Sequence, residues 1–98
     1  MMESKLTPQK IESSLKDLKD WKLNPQGKIE REFTFKSFRE AFSFMTRVAF
    51  EAEELNHHPD WTNSYNRVRV ELMTHTAHGV TEKDLELARR IEKIDWTP

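Results

Sequence analysis

The sequence predicts an α+β fold: a helix followed by two strand-strand-helix units, with a four-stranded, largely antiparallel sheet carrying its helices on one face. Three observations predict it. Apolar spacing switches repeatedly between the three-and-four of a helix and the two of a strand. Each pair of period-two segments is parted by turn-forming residues, Asn24-Pro25-Gln26-Gly27 in the first and Asn66 in the second. No repeat, low-complexity tract or long linker interrupts the 98 residues, so one domain over 1–98 is expected.

Thr7-Pro8 reads as an N-cap with proline at the first helical position. Ile11, Leu15 and Leu18 follow at spacings of four and three, which predicts an amphipathic helix ending near Asp20. Trp21 and Leu23 share one side of a short strand. After the turn, Ile29, Arg31, Phe33 and Phe35 alternate with polar residues in a second strand.

From Phe38 the period becomes helical. Phe38, Ala41, Phe42, Met45, Ala49 and Ala52 are expected on the core face of a helix running to about Asn56. A flanking stripe of Phe44, Val48 and Leu55, with Phe50 on yet another side, adds more apolar surface than one sheet covers. A subunit interface is expected there, a wide core face being the alternative. His58-Pro59 stops the helix, because proline disfavours helical geometry in the residue before it.

Residues Trp61 to Tyr65, then Val68, Val70 and Leu72, read as a second hairpin turned around Asn66, its last strand ending near His75. On that parity His75 falls with Arg69 and Glu71, away from the core. A loop carries His78-Gly79. Thr81 and Asp84 then make a capping-box pattern that opens a final helix with Leu85, Ala88 and Ile91 inward.

Sixteen Lys plus Arg against 17 Asp plus Glu leave a formal charge of −1, so no overall positive field exists to hold nucleic acid or an anionic membrane. Arg67 and Arg69 alternate with acidic neighbours and read as a solvated sheet face. The absence of cysteine excludes disulfides, thiolate catalysis and Cys-based zinc sites. Met1 to Lys10 has no apolar run of signal-peptide length, and nothing later approaches the ~18 apolar residues of a membrane span. The expected compartment is the cytoplasm.

All four histidines fall in two short segments, His57 and His58 within Glu53 to Tyr65, His75 and His78 within Thr74 to Asp84. An imidazole, with its unperturbed pKa of ~6.5, gives or takes a proton near neutrality, so clustered histidines suit general acid-base work. Adjacent side chains diverge on a regular element, but the break at Pro59 frees His57 and His58 to line one pocket. Blander roles explain each residue singly. His57 sits at a helix C-terminus, where imidazole meets exposed carbonyls. Asp84 is accounted for as a cap, Glu53 as a solvated carboxylate, and Trp61 and Tyr65 as packing residues. Adjacent histidines rarely meet one zinc ion with good geometry, and no metal is expected.

The spacing of these residues is specific. Glu53, three residues, His57-His58-Pro59, five residues, Tyr65, nine residues, His75, eight residues and Asp84 form one pattern. In it the chain resembles the pterin-4a-carbinolamine dehydratase family, also known as a dimerisation cofactor of a homeodomain transcription factor. The resemblance extends over nearly the whole chain, including Gly79-Val80-Thr81. It implies dehydration of 4a-hydroxytetrahydropterin to quinonoid dihydropterin, in tetrahydrobiopterin recycling, without metal or organic cofactor.

By that resemblance His57 and His75 supply the acid and base, and His58 positions substrate and shares the proton work. Asn56, Thr74 and Thr76 hydrogen-bond the pterin edge, and Trp61 flanks the ring. Glu53 or Asp84 orients an imidazole. Family members are dimers or tetramers, which implies a homodimer or homotetramer through the 38–56 helix. The family's second role implies an alternative function, a helix-mediated protein-binding module.

Overall fold

Thr7 and Pro8 start the first helix as their residue types dictate. In the computed structural model, which describes residues 4–97, the Thr7 hydroxyl accepts from the Lys10 N–H at 3.1 Å and Pro8 opens α1 (Pro8–Ser14). The helix stops earlier than its apolar spacing suggests. Leu15–Asp17 tighten into a 3₁₀ turn, with the Leu18 N–H donating to the Leu15 carbonyl at 3.0 Å. Ile11, Leu18 and Trp21 are all buried.

The first hairpin joins β1 (Lys22–Leu23) to β2 (Ile29–Thr34). Asn24 organises its turn: the side-chain oxygen accepts from the Gln26 and Lys28 N–H groups, each at 3.0 Å. Gly27 takes φ 82°, a left-handed geometry that glycine adopts without penalty.

Ser37 caps α2 (Phe38–Leu55), its hydroxyl accepting from the Glu40 N–H. The buried face of this helix differs from the expected one. Ala41, Phe44, Val48 and Ala52 are buried, while Phe38, Phe42 and Phe50 are 47%, 56% and 71% exposed and Ala49 faces solvent. Both apolar stripes satisfy a helical period, so periodicity alone does not rank them. The strands do: Phe33 and Phe35 of the second strand segment meet Phe44 at ring-centre distances of 4.5 and 5.1 Å. Phe44 and Val48 are therefore core residues, and the surplus apolar surface is built from Phe38, Phe42, Ala49 and Phe50 instead.

β3 (Asp60–Ser64) and β4 (Arg67–Leu72) form the second hairpin, with Tyr65 at φ 50° in its turn. The strand order is β1-β2-β4-β3 and every neighbouring pair is antiparallel. Ile29, Phe33, Trp61, Val68, Val70 and Leu72 make the covered face. Pairs such as Glu32 with Arg69 and Thr34 with Arg67 make the open one, so Arg67 and Arg69 do lie on a solvated sheet face.

The capping box opens α3 (Glu82–Glu92), which buries Leu85, Ala88 and Ile91 as expected, and Leu87 besides. Arg90 ties α3 to α2, donating to Glu54 and Glu51 at 2.5 and 3.3 Å, and also bonds Glu86 of its own helix at 3.1 Å. These carboxylates, Glu54 foremost, raise the guanidinium's proton affinity above its usual value. Among the described residues no helix is long and apolar enough to cross a membrane.

Candidate active site

α2 ends because Asn56 turns left-handed, with φ 51° and ψ 46°. The His57 N–H then closes back on the Ala52 carbonyl at 2.9 Å and the Asn56 N–H on the Glu53 carbonyl at 3.1 Å. This reversal satisfies the last helical carbonyls and separates the two adjacent histidines. The His57 side chain is 11% exposed, whereas that of His58 is 57% exposed.

His57 points at Asp84, the third residue of α3, with Nε2 2.6 Å from Oδ1. Asp84 is completely buried. Its other oxygen accepts from the Thr81 N–H at 2.8 Å and the Thr74 hydroxyl at 2.9 Å. Three donors thus converge on one buried carboxylate, the condition under which a buried charge is tolerated. Thr74 and Thr81 hydroxyl oxygens lie 2.7 Å apart. Since the single proton of Thr74 goes to Asp84, Thr81 must donate to Thr74, while accepting from the Lys83 N–H at 3.3 Å. The tautomer of His57 that donates from Nε2 to this carboxylate keeps a lone pair on Nδ1.

The other histidines are held differently. His58 Nε2 lies 2.6 Å from Glu53 Oε2, both side chains being largely exposed. β4 ends at Leu72, so His75 is not a strand residue. Thr74 and Gly79 instead form an isolated bridge, and His75–Ala77 wind into a 3₁₀ turn between them. Strand parity therefore does not govern His75. Its ring is exposed, with Asp60 Oδ2 at 3.8 Å from Nε2.

One cavity of about 360 Å³ joins these segments. It is lined by every residue of 56–60 and of 73–76, and by Lys83 from the first turn of α3. Two larger clefts of about 480 Å³ lie elsewhere, one around Arg47, Phe50 and Arg90, the other around Asp20, Arg31 and Arg69. Neither is lined by a histidine, so of the three the smaller cavity is the one that brings imidazoles together.

A family model for pterin 4 alpha carbinolamine dehydratase matches residues 4–94. The chain belongs to this family. A relative from Opitutus terrae, provisionally named a pterin-4-alpha-carbinolamine dehydratase, is 55% identical over 96 residues, covering 97% of this chain and 98% of its own. One from Burkholderia vietnamiensis with the same provisional name is 49% identical over 94 residues, covering 95% and 92%. A crystal structure from Brucella melitensis, described as a transcriptional coactivator/pterin dehydratase, superposes with a TM-score of 0.87 at 43% identity, covering 91% of this chain and 96% of that one. The fold also matches a pterin dehydratase-like protein described as a RuBisCO assembly factor in the alpha-carboxysome. That match has a TM-score of 0.64 at 21% identity over 74% and 86% of the two chains, and it bears on fold alone.

Within this pterin dehydratase fold, His57, His58 and His75 share the cavity although 17 positions separate His58 from His75 (75 minus 58). Asn56, Thr74 and Thr76 line it too. Glu53 and Asp84 lie outside the lining and act on it through their bonds to His58 and His57. Trp61 departs from expectation: it points to the covered side of the sheet, partly buried against the core, and does not line the cavity. Its position opposite Val70 in the ladder explains why. Sequence reasoning missed Asp60, Lys83 and Met73 as lining residues. Asp60 and Lys83 each adjoin a motif position, Pro59 and Asp84, and adjacency to a motif was the only signal available for them.

Proposed function

We infer that this protein dehydrates 4a-hydroxytetrahydropterin to quinonoid dihydropterin and water by histidine acid-base catalysis. The observation that carries this reading is the single cavity lined by His57, His58 and His75, with His57 bonded to a fully buried carboxylate. Loss of hydroxide from C4a is slow unless the oxygen is protonated as it leaves, and the N5 proton must depart as the C4a–N5 double bond forms. We assign the first task to His75 and the second to His57. The Nδ1 lone pair of His57 takes the N5 proton, and Asp84 stabilises the imidazolium that results. His75 gives its proton to the departing hydroxyl, so that water leaves, and solvent exchange restores both rings. His58, braced by Glu53, holds the pterin, with Asn56, Thr74 and Thr76 at its polar edge.

Chelator-treated protein is expected to speed carbinolamine breakdown in an absorbance assay. His57→Ala and His75→Ala each lower the rate by ~10²–10⁴-fold, with the circular dichroism spectrum retained. Parental rates in both variants defeat the reading. Zinc-restored activity after chelation replaces it with a metal-assisted one.

A second reading is favoured by the outer face of α2, where Phe38 and Phe42 meet at 5.8 Å in solvent. Such a stripe suits helix-to-helix docking, either in a homodimer or homotetramer or on a helical partner. The Brucella melitensis relative's description as a coactivator is in keeping with the latter. On the main reading the protein serves tetrahydrobiopterin recycling in the cytoplasm.

A further inference from the structure

His75 is the most exposed of the three cavity histidines, and its ring has no hydrogen bond of the quality His57 has. What faces it is Asp60. This residue opens β3 directly after Pro59, lines the same cavity, and places Oδ2 3.8 Å from His75 Nε2. The same oxygen lies 3.2 Å from Lys28 Nζ. Lys28 reaches it from the first hairpin turn, where its N–H donates to Asn24 Oδ1 at 3.0 Å and its carbonyl accepts from the Asn24 N–H at 2.8 Å. Its side chain is only 22% exposed, so this lysine is packed rather than free in solvent.

Asn24 also steers the neighbouring acids. Its amide donates to Glu30 Oε1 at 2.9 Å and Glu71 Oε2 at 3.0 Å, and Glu71 is the ladder partner of Asp60. Three carboxylates are thereby gathered at one end of the open sheet face. Asn24 engages two of them, and Lys28 takes the third, Asp60, whose second neighbour is His75.

We propose that Asp60, anchored by Lys28, is the positioning residue for His75, as Asp84 is for His57. The assignment of a catalytic task to His75 rests on the reading above; the pairing itself does not. Asp60 sets a carboxylate 3.8 Å from Nε2, where its charge draws the ring toward it. Lys28 limits that effect by sharing the same oxygen. The two residues therefore act on His75 in opposite directions. The other charged or titratable groups that line the cavity with it are His57, His58 and Lys83, and neither substitution below alters them.

The test titrates the His75 ring by NMR in the full chain, its signal identified by its loss in His75→Gln. Asp60→Asn is expected to lower the midpoint and Lys28→Gln to raise it, since the first removes a negative charge beside the ring and the second a positive charge held on that same carboxylate. Asp60→Glu restores the parental midpoint. In the dehydration assay Asp60→Asn lowers kcat about tenfold while KM stays within about twofold. Midpoints that do not move, or that move the same way in both variants, overturn the proposal. Midpoints that move as stated in a protein without dehydratase activity uphold the pairing and defeat the functional reading instead.

Discussion

The Nε2 atom of His57 sits 2.6 Å from Oδ1 of Asp84, joining the end of one helix to the start of another across 27 positions of sequence. The capping-box carboxylate of α3 is thus also the partner of a cavity imidazole. A carboxylate with one oxygen on the Thr81 N–H and Thr74 hydroxyl cannot rotate away without breaking the helix cap. The histidine inherits the rigidity of the helix N-terminus.

Asp84→Asn tests that coupling. The amide oxygen can still accept from the Thr81 N–H, but an NH₂ group then faces His57 and favours the opposite tautomer. The expected result is a kcat lower by on the order of 10²-fold or more, with the chain still folded. Steady-state dehydration rates beside a urea titration measure both. Unchanged kcat would show that the carboxylate does not serve His57.

Thr74→Val removes the buried hydroxyl that links Asp84 to Thr81. It leaves the Thr81 donor without its acceptor and Asp84 with one donor fewer. Stability should fall by about 1–3 kcal/mol, and Thr74→Ser should recover most of it. Denaturant midpoints of the two variants decide the matter, equal values arguing against the hydroxyl chain.

Asn56 has two separable duties, ending α2 in a left-handed geometry and lining the cavity. Asn56→Gly keeps the first and deletes the second: stability holds to within a few tenths of a kcal/mol, while KM for the carbinolamine rises. Asn56→Val strains the backbone by about 1–2 kcal/mol. Thermal melts and a KM measurement separate the effects, and a Gly variant with parental KM removes Asn56 from pterin recognition.

The two faces of α2 predict opposite phenotypes. Phe44→Ala opens a cavity beside Phe33 and Phe35 and costs about 3–5 kcal/mol. Phe42→Asp, on the exposed stripe, leaves the fold intact and disperses the proposed homo-oligomer. Sedimentation velocity reads the second outcome. An assembly that survives both Phe42→Asp and Phe38→Asp does not use this face.

Local patterns carried much of the fold. Thr7-Pro8, Asn24 to Gly27, and Thr81 with Asp84 are short-range signals, because caps and turns are settled by hydrogen bonds within four residues. The same holds for the alternation of Val68, Val70 and Leu72. His75 shows where local reading stops. Strand parity placed it on the open sheet face, but the ladder ends at Leu72 because Thr74 bonds to Gly79 across a short loop. Periodicity has nothing to say beyond a strand's last pair.

By itself, the sequence determined the element order, the helix and turn boundaries to within a few residues except at the end of α1, and the set of imidazoles and carboxylates available for proton transfer. The tertiary structure alone decided which stripe of α2 is core, that Trp61 faces the sheet's covered side, and that Asp84 serves His57 while Asp60 faces His75. The physical reason is range. Caps and periods arise from neighbours along the chain, whereas the choice between two equally apolar stripes, or between two carboxylates for one imidazole, depends on groups that meet only after the sheet and helices have packed.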